Sequence, residues 1–197
     1  QLGAGTRTNG VALVDAELAS VDVRVESPYG EVWGLAQHPT TDTFAVCAYD
    51  RMLRIYDGSS RRQTAVMRLS GPARCCAFSP GGEHIAVGMK EGMVCVVQVA
   101  TMEVIWEAQD RVEVINALTY SPDGHTLAAG SGDNYIDLYQ VSNQRYKRYG
   151  ICKGHSSFVT HVGFSEDSEV LQSNSGDYEL LYWDRKTACV PSPALSH

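Results

Sequence analysis

Short apolar runs separated by polar turn sequences recur along the whole chain. Thr43-Phe44-Ala45-Val46-Cys47-Ala48, Val94-Cys95-Val96-Val97 and Leu127-Ala128-Ala129 are rich in small or β-branched residues and are too short for helices. Ser79-Pro80-Gly81-Gly82 and Ser121-Pro122-Asp123-Gly124 are tight-turn sequences between such runs. No long stretch shows helical periodicity. The pattern predicts a chain that is almost wholly β.

The runs are not randomly placed. Marks at Pro39, Pro80, Pro122 and Glu166 are separated by 41, 42 and 44 residues. A second turn mark follows each by 11 residues, at Asp50, Glu91, Asp133 and Asp177, and a closing mark follows by 18, at Asp57, Gln98, Gln140 and Asp184. A partial copy lies upstream, at Asn9-Gly10 and Val11–Asp15. A repeat of this length, built of four short strands, is the period of a WD40 propeller blade. The expected units are 1–26 (end of a preceding blade), blades at 27–69, 70–108 and 109–151, a partial blade at 152–187, and 188–197 as a tail or the start of a next strand. A ring of seven blades would need roughly 290 residues. The 197 residues here are therefore expected to form an arc of about four blades within a larger ring. Such an arc alone would expose two raw sheet edges and is expected not to stay monomeric in isolation. Gln1–Thr6 lacks an initiator Met and an apolar signal core, and reads as the start of a segment.

The last copy is the fullest. It holds Gly154-His155, Phe158–Ser165, Leu171–Asp177 and Leu180–Asp184, ending in Trp183-Asp184. His155, a strand-b serine (Ser173 or Ser175), Asp177 and Trp183 match the hydrogen-bonded tetrad of a WD40 blade. A buried imidazole and carboxylate are costly unless paired, and indole N–H, hydroxyl, imidazole and carboxylate can satisfy one another. Each charged link is worth roughly 1.5–3 kcal/mol. A Ser/His/Asp catalytic reading competes, but blade structure explains the same residues and no nucleophile-elbow sequence is present. At the Gly-His position the other copies carry Ser27-Pro28, Arg68-Leu69 and Asp110-Arg111, and at the Trp position Tyr56, Val97 and Tyr139. They are expected to rely on strand pairing and apolar packing.

Composition narrows the function. With 44% hydrophobic and 20% charged residues the chain is globular. A net charge of −7 argues against wrapping a nucleic acid, and no 18-residue apolar run exists to span a membrane. Six cysteines, at 47, 75, 76, 95, 152 and 189, form no CxxC pair and are expected to be reduced and buried rather than a zinc site. Gly130-Ser131-Gly132-Asp133 falls at a turn with no helix after it, so it lacks a phosphate cradle's geometry. No metal spacing among the histidines and no isolated carboxylate pair appears, and no cofactor is expected. Trp33 and Trp106 are expected to be packing residues rather than ligand platforms.

One stretch departs from the acidic background. Leu138 to Ser165 holds no Asp or Glu, and carries Arg145, Lys147, Arg148 and Lys153 with Tyr146 and Tyr149 between them. Charge on an outer strand can simply keep it soluble and unpaired. The functional reading is a docking strip for an acidic partner.

Several segments go beyond a generic blade. They are Glu31–Pro39, Cys47–Arg51, Gly132–Tyr139, Arg148–His161 and Ser173–Asp184. Over roughly residues 30–185 the chain closely resembles the echinoderm microtubule-associated protein-like family. The resemblance implies a tandem atypical propeller with this arc in its second half, a non-catalytic scaffold role, binding to tubulin or microtubules, and a place on the cytoplasmic cytoskeleton or a ciliary axoneme among neighbouring axonemal proteins. The alternative is a WD40 adaptor with no direct tubulin contact. Tubulin's acidic surface would not attract an acidic arc by bulk charge, so direct binding would need a local basic strip.

Overall fold

In the computed structural model, residues 28–187 are described in full, together with the backbone of four flanking strands. The first three are β1 (Leu2–Gly5), β2 (Val11–Asp15) and β3 (Ser20–Val25), which form a three-stranded antiparallel sheet. Leu2–Gly5 pairs upstream of the partial copy that Val11–Asp15 marks, while Asn9-Gly10, Ser27 and Cys189 lie outside the described residues.

Four meander sheets follow. They are β4 (Val32–Gln37) to β7 (Gln63–Arg68) with β5 (Thr43–Ala48) and β6 (Met52–Asp57); β8 (Ala73–Phe78) to β11 (Glu103–Gln109) with β9 (His84–Met89) and β10 (Met93–Gln98); β12 (Ile115–Tyr120) to β15 (Arg145–Lys153) with β13 (Thr126–Ser131) and β14 (Tyr135–Ser142); and β16 (Val159–Phe164) with β17 (Val170–Ser175), β18 (Leu180–Asp184) and β19 (Val190–Pro191). The segment after Ala188 carries no strand pattern, yet Val190 and Pro191 pair with Asp184 and Trp183 as the fourth strand. A proline is tolerated there because an outermost strand need not donate on its free side.

Consecutive sheets stack, and an apolar layer fills each seam. Leu53 and Ile55 meet Ile85 and Val87 in the first seam. Val94 and Val96 meet Leu118 and Tyr120 in the second, and Ile136 and Leu138 meet Val159, Leu171 and Trp183 in the third. Interior sheets are covered on both faces, which is why β9 and β13 read as continuous apolar runs rather than alternations. Approach is close: a Cβ at Gly130 would lie 2.6 Å from Val159 Cγ1. The turns repeat too. Arg51, Gly92, Asn134 and Tyr178 occupy matching positions and all take the left-handed conformation, with φ between 65° and 80°.

The first strands of the four sheets contact one another in order, β4 with β8, β8 with β12, and β12 with β16. Each carries a bulge at the same place. The register slips between Val32 and Gly34, Ala73 and Cys75, Ile115 and Ala117, and Val159 and His161. The displaced residues are Trp33, Arg74, Asn116 and Thr160, and all four line one cavity of about 380 Å³. Four inner strands that share a cavity surround a common axis. The chain is an all-β, WD40-type propeller arc of about four blades, with no helix among the described residues.

Candidate functional site

Two blades are closed by polar networks of different chemistry. In the fourth, a Cβ at Gly154 would lie 2.8 Å from the Trp183 ring, so only glycine lets the loop pass over the indole. Trp183, fully buried on β18, donates its indole N–H to Ser173 Oγ at 2.8 Å. Ser173 Oγ lies 2.7 Å from His155 Nε2. With the hydroxyl accepting the indole N–H and engaged with Nε2, the other ring nitrogen, Nδ1, lies 3.6 Å from Asp177 Oδ2. That is too long for a hydrogen bond. Asp177 instead accepts from Ser156 N–H (2.8 Å), the Ser156 hydroxyl (3.1 Å) and Glu179 N–H (2.9 Å). Partial burial works to raise its carboxyl, but these donors outweigh burial and hold it well below the usual carboxylate range. Ser175 serves the turn instead, donating to Ser157 O at 2.8 Å and accepting from Asp177 N–H at 3.5 Å, so Ser173 is the hydroxyl that joins His155 to Trp183.

This constellation cannot attack a substrate, because Ser173 is fully buried and its hydroxyl is engaged on both sides. His155, Asp177 and Glu179 each bring a potential metal-ligating atom within 4.8 Å of the others. Asp177 already spends its oxygens on the loop, and Glu179 is exposed, so the geometry is that of a hydrogen-bonded lock.

The third blade has a lock the spacing argument missed. Arg111 occupies the position of His155, and Asp137 lies on β14, fully buried. Arg111 grips it with two parallel bonds, Nε to Oδ2 at 2.6 Å and Nη2 to Oδ1 at 2.7 Å, and reaches Asp133 at 3.4 Å. Tyr139, in the Trp position, donates to Asp110 Oδ2 at 3.0 Å. Burial pushes the Asp137 carboxyl up against the pull of Arg111. Burial also opposes the Arg111 charge, but Asp137 beside it prevails and raises that group's pKa. Strand pairing and apolar packing alone do not close this blade, contrary to expectation. The first blade uses the reverse polarity: Arg54, on its third strand where Asp137 stands, pairs with Asp50 at 2.7 Å.

The basic strip divides. Tyr146 is buried, stacked on Trp106 with ring centroids 5.0 Å apart, and its hydroxyl is 3.0 Å from Tyr120 Oη. It is a core residue, not a contact for a partner. Arg148 is tied to Asp110 (3.3 Å) and Asp137 (3.5 Å). The acid-free sequence window is thus not acid-free in space, because carboxylates arrive from the preceding loop and the neighbouring strand. Arg145 and Lys147 remain exposed beside a cavity of about 460 Å³ also lined by Gln140, Ser142 and Asn143. Tyr149 is 37% exposed, and Lys153 lies 5.6 Å from the Tyr135 ring centroid. Trp33 also departs from expectation, being 51% exposed at the axis, whereas Trp106 packs. Cys47, Cys75, Cys76 and Cys95 are free thiols, but Cys152 is disulfide-bonded, contrary to the expectation of reduced cysteines.

Repeated four-stranded blades, inner strands around one axis and polar locks at the loop ends define a propeller of the WD40 class. The family model for the second β-propeller of echinoderm microtubule-associated protein matches residues 32–194. The chain belongs to that family. It is 40% identical over 192 residues to human echinoderm microtubule-associated protein-like 3, covering 96% of this chain and 21% of that protein. It is 39% identical over 169 residues to human echinoderm microtubule-associated protein-like 4, covering 85% and 17%. With the 77 kDa echinoderm microtubule-associated protein of Strongylocentrotus purpuratus it shares 41% identity over 165 residues, covering 83% and 24%. The chain spans about a quarter or less of the length of these relatives.

Proposed function

We propose that this arc serves a microtubule-associated scaffold protein of the cytoplasmic cytoskeleton, binding tubulin or a neighbouring protein and catalysing nothing. The relatives' names describe them as microtubule-associated, and the arc supplies a surface rather than a reaction centre. The observation that carries the reading is the pair Arg145 and Lys147, exposed beside a groove on an acidic body. A local patch of that kind can hold an acidic partner where bulk charge cannot.

The test is co-sedimentation of the intact protein with purified microtubules at rising salt. Arg145→Glu with Lys147→Glu is expected to weaken binding at least tenfold at low salt. Arg148→Glu is the wrong probe, since it also breaks the third-blade lock. If the double variant binds as wild type does, Arg145 and Lys147 are not the contact. The net charge of −7 favours a second reading, an adaptor on another microtubule-bound protein. Binding only when such a protein is added back would select it.

A further inference from the structure

We propose that the axial cavity is a second binding site, built for a short peptide that sets a carboxylate beside an apolar side chain. The site is independent of the strip on the outer strand. Its signature is the repeated bulge. A bulge leaves one residue out of the ladder and re-aims its side chain, and bulges gather next to functional sites. Here the same register slip occurs in four successive blades, and each time the released residue faces the axis. The backbone device is constant while the side chains differ, as in a scaffold that varies its contact residues.

Those side chains converge on one ligand chemistry. Arg74 lies with its guanidinium carbon 3.6 Å from the Trp33 ring centroid. Stacking occupies the face of the guanidinium and leaves its N–H edge for a carboxylate. No carboxylate among the described residues lies within ion-pair range of Arg74. Glu31 accepts the Trp33 indole N–H at 2.8 Å and so fixes the plane on which Arg74 rests. Asn116 donates its amide to Val159 O at 3.0 Å, leaving its own oxygen to accept a peptide N–H. Phe158, 50% exposed, and Trp33 supply apolar walls, and Cys75, Thr160 and His161 complete the lining. At about 380 Å³ the cavity is within the range of small-ligand sites. Aromatic faces with arginine can also stack nucleobases, but an acidic body repels a polyanion.

The experiment is fluorescence anisotropy with the intact protein and a fluorescein-labelled octapeptide carrying two Glu-Leu pairs. Saturable binding is expected, weakened at least tenfold when Gln replaces each Glu and at least fivefold when Ser replaces each Leu. Arg74→Ala and, separately, the exposed Trp33→Ala should each weaken it at least tenfold. Arg145→Glu with Lys147→Glu should leave it unchanged, so this site can fail while the strip stands, and the reverse. The proposal is overturned if the Gln peptide or the Arg74→Ala protein binds equally well, if no peptide binds, or if an oligothymidine displaces the peptide.

Discussion

The third and fourth blades share strand order and bulge position and differ in what closes them. In the fourth, a neutral hydroxyl joins indole to imidazole, and the carboxylate serves the backbone of a loop. In the third, an arginine stands where the histidine was and grips a fully buried aspartate. The bulk of the ring at the closing position accompanies the change: Trp183 requires Gly154 above it, whereas Tyr139 tolerates Asp110 there and bonds to it. The position in the blade is therefore what the fold demands. The chemistry that fills it is free to vary, provided the buried charge at its centre is paired.

The sharpest way to break the comparison is at Asp137. Asp137→Ala leaves a nearly buried Arg111 facing only Asp133, and is expected to cost about 3–5 kcal/mol by urea unfolding. Arg111→Met with Asp137→Leu removes both charges and should restore most of that loss; if it does not, the pair does more than satisfy itself. Ser173→Ala comes next, at about 1–3 kcal/mol, because one hydroxyl serves two buried neighbours. Ser175→Ala, which loses a bond to a loop carbonyl and a long contact from Asp177 N–H, should cost about 0.5–1.5 kcal/mol. Equal effects at the two serines would contradict the geometry. Smallest of all, Arg145→Glu with Lys147→Glu should change stability by no more than about 0.5 kcal/mol, since surface substitutions seldom do more.

Acid separates the blades by a different route. The Asp177 carboxyl titrates below its ordinary value in the folded state, so its contribution is complete above that value and is lost as pH falls below about 4. Asp137 has the opposite sign: its carboxyl is raised, so protonation relieves a burial cost. Hydrogen exchange followed from about pH 4 downward, until Asp177 protonates in the folded state, should show Ser156 and Glu179 amides losing protection before those of β14. In Asp177→Asn that difference should vanish.

Much of the plan was legible because turn and closure residues act locally. Proline, glycine and aspartate at fixed offsets report φ preferences and side-chain-to-backbone bonds that need no partner far away. What escaped depends on distance. Arg111 and Asp137 are 26 residues apart, and each alone looks like a lost motif. A signal existed: Asp137 sits in Tyr135-Ile136-Asp137-Leu138-Tyr139, a run otherwise apolar or aromatic, where a charge demands a counter-charge. Tyr146 was misplaced because its neighbours' charges suggested a surface, although strand alternation turns it away from Arg145 and Lys147. The bulges left no mark in the sequence, since a register slip is a property of two strands. Val190-Pro191 reads as either a tail or the start of a strand, because its proline breaks the strand pattern.

Each seam between blades has its own apolar layer, and each described lock lies within the reach of one blade and its loop. Change in one repeat is thereby insulated from the next. A lineage can rewrite a single blade's wiring while the others go on working, which is how a row of once-identical copies can drift into four individuals without the row falling apart.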